Sequence, residues 1–183
     1  KTILQEINNK IRKTHHEVTQ VMLRFVEEYK DFTIANSKGT YINSDSMHTR
    51  YIAVIYTENE DIKRNESFTY GEATGYDFLN NFNIEEESLK TAAKAVEKLK
   101  SVDFIGGEYP VIIASGFGAV IFHEACGHGL EATSVAPKLS VFSDLIGKKI
   151  ASKKVTLIDD GTIEKVWGSN IIDDEGNPTE KTI

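Results

Sequence analysis

The sequence predicts an α+β fold: an antiparallel sheet with flanking helices, followed by a strand–helix unit that carries two histidines around a glutamate. Three observations lead there. Residues 48–58 alternate Thr49, Tyr51, Ala53 and Ile55 with Arg50, Ile52, Val54 and Tyr56, the period of two of a strand with unlike faces. Neighbouring strand candidates are separated only by short turns, a connection that antiparallel pairing permits and parallel pairing does not. Residues 83–99 carry the capping and charge pattern of a strong helix.

The elements follow in order. Thr2 to Lys13 places Ile3, Leu4, Ile7 and Ile11 on one helical stripe. Val18 to Glu27 fits either a helix (Val18, Val21, Met22, Phe25, Val26) or a strand (Thr19, Val21, Leu23, Phe25), and its β-branched and aromatic content favours the strand. Phe32–Ala35 is a short strand, Asn36-Ser37-Lys38-Gly39 a turn, and Thr40-Tyr41-Ile42 the return of a hairpin. Ser67 to Glu72 continues the meander after the strand at 48–58. Asn83 with Glu86 three residues on resembles a capping box, and Leu89, Ala92, Ala93, Val96 and Leu99 make the apolar stripe behind it. Glu85, Glu86 and Glu87 in the first turn and Lys98 and Lys100 in the last complement the helix dipole. Asp103 to Pro110, with Gly106-Gly107, is a loop and the expected domain boundary. Val111–Ala114 is a continuous apolar run and is expected to be a buried strand, Phe117 to Leu130 a second helix, and Val155–Ile158 a strand that ends in the turn Asp159-Asp160-Gly161.

Composition narrows the function. The chain has 183 residues, room for one or two small domains. Its formal net charge is −7, and it lacks a basic patch interleaved with aromatics, which argues against direct contact with nucleic acid. A single cysteine excludes an internal disulfide framework. No apolar run approaches the ~20 residues of a membrane span. No signal peptide opens the chain, so a cytoplasmic location is expected. Lys1 stands inside a helical pattern and Pro178–Ile183 stops as a strand pattern begins, so the chain reads as a piece of a longer one.

One segment stands apart, His123-Glu124-Ala125-Cys126-Gly127-His128-Gly129-Leu130-Glu131. In the metalloprotease helix H-E-x-x-H the two histidines are four apart, about 40° around an α-helix, and face one metal. Here the interval is five, which on an ideal α-helix separates them by roughly 140°. A π-bulge, one extra residue in the turn, would restore a shared face, and the glycines give the backbone room for it. The spacing therefore leaves two readings: two ligands on a bulged helix, or two unrelated histidines. Glu124, directly after the first histidine, has the chemistry of a general base beside a metal. Cys126 is a candidate nucleophile or third ligand, against the common alternative of a small buried cysteine. Glu131 is a candidate for orienting a ligating histidine, against a surface or capping carboxylate. Asp159-Asp160 fits a local turn role, and His15, His16 and His48 read as surface residues.

These residues resemble the TldD/PmbA family, also called the modulator of DNA gyrase family, whose members are metallopeptidases. His123–Glu131 is similar to its H-E-x-x-x-H signature. Ile34–Gly39 resembles its I-A-N-S-x-G turn, and Gly107–Val111 its G-x-Y-P-V stretch. Ser140-Val141-Phe142 with Ile146–Ser152 resembles its S-V-F and A-S stretch, and Asp159–Thr162 and Asp173–Thr179 resemble its D-D-G-T and D-D-E-G-x-P-T stretches. The ordered set runs from the first hairpin to the end of the chain.

The resemblance implies a central domain at 1–103 and the start of a metal-carrying C-terminal domain at 108–183, without an N-terminal domain or most of the C-terminal one. By the same resemblance His123 and His128 correspond to zinc ligands and Glu124 to the catalytic carboxylate. The third ligand would be a cysteine beyond Ile183. Family members work in pairs, a TldD-like subunit with the signature and a PmbA-like (TldE) partner without it, and the intact signature puts this chain on the TldD-like side. The expectation is a zinc-dependent peptidase subunit acting on peptides in the full-length protein, with this stretch inactive alone. The alternative is a non-catalytic peptide- or partner-binding segment without a competent metal site.

Overall fold

The computed structural model describes residues 2–183, so Lys1 and its expected helical position lie outside the described residues. The chain divides into two compact units, Lys1–Asp103 with Ile158–Ile183, and Phe104–Leu157.

The first unit is a three-stranded antiparallel sheet with helices packed on one face. Helix α1 (Thr2–Thr14) leads into β1 (Val18–Ala35), β2 (Tyr41–Asn59) and β3 (Ile62–Glu72), paired in that order. Residues 18–27 and 32–35 belong to one continuous strand. Its middle, Glu27–Asp31, is exposed and polar, so no alternation marks it, yet the ladder runs on from Glu27 opposite Thr49 to Ala35 opposite Tyr41. Backbone pairing does not depend on the side chains that announce it. At the hairpin tip the Asn36 carboxamide oxygen accepts from the Lys38 and Thr40 amides at 3.0 and 3.2 Å, an Asx-type turn.

The core lies on the face that holds Tyr51, Ala53 and Ile55 of β2, all fully buried. Ile7 and Ile11 of α1 cover it, together with α2 (Phe78–Asn81) and α3 (Ile84–Lys98). The line that α3 buries is Ile84, Ser88, Thr91, Ala92 and Ala95, with Leu99 buried just past its end; of the expected apolar stripe Leu89 and Val96 are half-buried and only Ala93 is exposed, so the buried line overlaps that stripe and adds hydroxyl residues. The reason is chemical. Tyr51 and Thr57 bring hydroxyls into this layer, and buried hydroxyls need partners. Tyr51 Oη lies 2.6 Å from Ser88 Oγ, Ser88 Oγ donates to the Ile84 carbonyl, and Thr57 Oγ1 donates to the Ala95 carbonyl at 3.0 Å. Burial also raises the Tyr51 phenol above its ordinary pKa. A ring cluster of Phe25, Tyr70, Phe78 and Phe82 closes one end.

Helix α3 starts as the sequence indicates. Asn83 Oδ1 accepts from the Glu86 amide at 3.1 Å, satisfying one of the orphan donors of the first turn. Asn83→Ala is expected to cost about 1 kcal/mol in chemical denaturation. A loss below ~0.3 kcal/mol would show that tertiary packing alone holds the helix start.

Residues 158–183 return to the first unit. The ring of Trp167 lies 4.0 Å under the Arg50 guanidinium and 5.1 Å, edge-on, from His48, which is therefore a half-buried packing residue and not a plain surface one. A Cβ on Gly176 would lie 2.7 Å from Thr40 Cγ2, so this segment reaches the hairpin tip. The strand expected at Val155–Ile158 is displaced: pairing involves β4 (Asp159–Asp160) and β5 (Lys181–Thr182).

In the second unit, Val111–Ala114 carries no ladder. Val111 and Ile112 are 75% and 99% exposed, which corrects the expected buried strand. An apolar run supplies strand propensity only, and a strand needs a neighbour; among the described residues nothing pairs with this one. The remainder is a broken helix: a 3₁₀ turn (Phe117–Ala119), α4 (Val120–Phe122), a π-helical turn (His123–Gly127), α5 (His128–Leu130) and α6 (Ala132–Val135).

Candidate metal centre

The expected single helix at 117–130 contains a π-turn at the histidine segment. The His128 amide donates to the His123 carbonyl, five residues back, in place of the four-residue α bond. That one bond spans the interval between the two histidines. The turn takes up the extra residue, and the two rings meet on one face with centroids 4.4 Å apart. Of the two readings left by the spacing, the geometry is that of the bulged helix.

His123 Nε2 and His128 Nε2 are 3.1 Å apart, and Glu124 Oε2 lies 3.7 Å from His128 Nε2. One ligand atom from each of the three residues falls within 4.8 Å of the others, and all three side chains are exposed. Two imidazole nitrogens at 2.0–2.1 Å from a tetrahedral zinc stand roughly 3.3 Å apart. The observed separation is close to that, and a pair of imidazole nitrogens is a partial donor set that suits zinc, with the Glu124 carboxylate beside it. The residues present therefore fit a divalent transition metal. Cys126 lies half-buried within the π-turn and is not one of the three grouped residues.

Sequence reasoning left Glu131 undecided between two roles, and its carboxylate Oε1 lies 2.9 Å from His128 Nδ1. It did not foresee how the motif is braced. A Cβ at Gly127 would lie 3.3 Å from His123 Nδ1, so the glycine leaves room for the ring to lie over its own turn. A Cβ at Gly129 would lie 2.9 Å from Phe142 Cε2. Ser140 Oγ donates to the Gly129 carbonyl and accepts from the Phe142 amide at 3.1 Å, which satisfies a carbonyl at the helix end. The signal was available: glycines flanking a histidine within a helix mark places where something packs closely.

Elsewhere, Asp160 Oδ1 accepts from the Thr162 hydroxyl at 2.6 Å and amide at 3.0 Å, the local turn role expected of it. These bonds hold its carboxyl below the usual range.

Residues 1–102 match the profile of the PmbA/TldA metallopeptidase central domain, and residues 106–183 match that of the C-terminal domain. The chain belongs to the TldD/PmbA metallopeptidase family. Among the relatives in this family, a metalloprotease TldD homologue of Buchnera aphidicola (subspecies Acyrthosiphon pisum) is 31% identical over 99% of this chain and 39% of its own length. A metalloprotease of Methanocaldococcus jannaschii is 30% identical over 93% of the chain and 37% of its own length. The chain thus spans about two fifths of the relatives it matches. The crystal structure of a candidate modulator of DNA gyrase from Thermotoga maritima superposes with a TM-score of 0.76 at 20% identity, covering 97% of this chain and 41% of that one. TldE from Thermococcus kodakarensis gives 0.61 at 16% identity over 96% and 39%. At these identities the structural likeness establishes the shared TldD/PmbA fold and nothing finer. No helix among the described residues is long and apolar enough to cross a membrane.

Proposed function

We propose that this chain carries two metal ligands and the general base of a zinc-dependent peptidase, and that the full-length protein hydrolyses peptides. The observation that supports this most is the π-turn, which sets His123 Nε2 and His128 Nε2 3.1 Å apart beside Glu124. His123 and His128 would hold zinc. When bound, zinc supplies Lewis acidity, making water more acidic and polarising a carbonyl. The Glu124 carboxylate takes the proton of the attacking water and returns it to the leaving amine, so the same oxygen acts as base and then as acid. Its exposure lets it reach a substrate without rearranging the helix.

Catalytic zinc uses three protein ligands, and this chain offers two imidazoles. The third is proposed to be a cysteine C-terminal to Ile183, as the family resemblance implies. A TldE-like subunit is the proposed partner, and the TldE fold shared with this chain supports the pairing. Peptide is favoured over nucleic acid as substrate by the charge of −7. Cytoplasmic location remains part of the proposal.

The isolated 183-residue chain is then expected to bind zinc weakly and to hydrolyse nothing, whereas full-length protein with its TldE-like partner holds stoichiometric zinc and cleaves peptides. Metal analysis and a peptide-cleavage assay on both check this. Tight, stoichiometric zinc in the isolated chain would point to another donor and overturn the missing-ligand account. A full-length complex that stays inactive after zinc loading would favour the non-catalytic binding reading.

A further inference from the structure

We propose that Glu131 is a positioning residue: its carboxylate fixes His128 in the tautomer and orientation that present Nε2 to a cation. The inference rests on the metal-site reading above, but its central claim concerns the metal-free protein.

Glu131 Oε1 lies 2.9 Å from His128 Nδ1. A carboxylate accepts and does not donate, so the proton of this bond sits on Nδ1. A neutral imidazole has one N–H, which leaves Nε2 with its lone pair. That lone pair faces the space shared with His123 Nε2 at 3.1 Å and Glu124 Oε2 at 3.7 Å. Without such a bond the two tautomers compete and half of the donor set is unformed.

The competing role for Glu131 is helix capping. Its backbone does start α6: φ and ψ are −65° and 141°, and its carbonyl accepts from the Ser134 and Val135 amides at 2.9 Å. Its side chain makes no cap bond. The carboxylate turns backward along the chain, three residues to His128, and its second oxygen meets the Thr133 hydroxyl at 3.5 Å. The backbone thus serves the helix while the side chain serves the histidine. The extended ψ at Glu131 ends α5 and turns the chain that follows away, while the side chain keeps the i,i+3 reach of a helical neighbour to His128.

The arrangement is asymmetric. With the His128 Nε2 lone pair fixed, His123 Nε2–H donates to it in the metal-free protein, and His123 must move that proton to Nδ1 before both rings can ligate. His128 is preset and His123 adapts.

Two readouts on full-length protein test this. In metal-free protein labelled with ¹⁵N-histidine, long-range ¹H–¹⁵N correlation is expected to show His128 protonated at Nδ1, and Glu131→Ala to lose that preference. Zinc affinity, measured by competition with a chromophoric chelator, is expected to fall about 10–100-fold in Glu131→Ala. Glu131→Gln, whose amide oxygen accepts the same bond without charge, should recover most of it. Wild-type affinity and an unchanged Nδ1–H signal in Glu131→Ala would overturn the proposal. If Glu131→Ala unfolds, Glu131→Gln decides: loss of the Nδ1–H tautomer with undiminished affinity overturns it, and retention of both supports it. A wild-type protein that binds no zinc but shows the tautomer would sink the metal reading and leave the Glu131–His128 link standing.

Discussion

Glu124→Gln in the full-length protein is expected to keep zinc at wild-type stoichiometry and to lower peptide turnover by about 10²–10⁴-fold. The two side chains have the same shape, so the π-turn and the 3.1 Å approach of the histidines should survive. What disappears is the ability to take a proton. The Glu124 carboxylate stands 3.7 Å from His128 Nε2, too far for a strong bond that the substitution would break. The loss should therefore fall on kcat rather than on metal content. Metal analysis beside steady-state kinetics separates the two, and unchanged turnover with full zinc would remove Glu124 from the mechanism.

Phe78→Ala should be the most damaging single truncation in the first unit. Phe78 is fully buried at the meeting point of four rings, with Phe82 at 5.1 Å, Tyr70 at 5.8 Å and Phe25 at 6.0 Å between centroids. It also anchors α2, a helix of four residues whose N-cap Asp77 makes no cap bond to the backbone and accepts only from the Asn80 carboxamide at 3.3 Å, so packing carries most of the hold on that turn. The expected cost is about 3–5 kcal/mol, transfer and cavity terms together. Against a typical total of 5–15 kcal/mol, that moves the urea midpoint far down or abolishes folding at 37 °C. A loss under ~1 kcal/mol would mean that the surrounding rings collapse into the gap.

Which parts of this were legible in the sequence follows from where side chains report on backbone. The buried half of β2 announces itself because Tyr51, Ala53 and Ile55 alternate with half-buried neighbours. The distal half of the hairpin does not, because Glu27–Asp31 faces solvent and its ladder is purely backbone. On α3, counting apolar residues finds Ala92 and Leu99 but misses Ser88 and Thr91, which are buried for their hydroxyl and backbone bonds. Apolarity alone marks Val111–Ala114 as buried, and propensity carries no information about whether a neighbour is there. At the site, an interval of five posed a choice between a π-turn and two unrelated histidines that spacing could not make, because both outcomes are compatible with the same letters. The brace places Ser140 and Phe142 against Gly129, eleven and thirteen residues away, a link no local pattern announces.

The return of Ile158–Ile183 to the first unit has a kinetic consequence. The hairpin of β1 and β2 joins near neighbours in sequence and can zip early, since closing a short loop costs little entropy. The seat of Trp167 against Arg50 and His48, and the cover of Gly176 over Thr40, must wait until the whole of Phe104–Leu157 has been made. On the ribosome the sheet therefore spends time with that flank bare, until Ile158–Ile183 has been made. Trp167 is the sole tryptophan of this sequence, so its indole emission reports on the seat against Arg50 and His48.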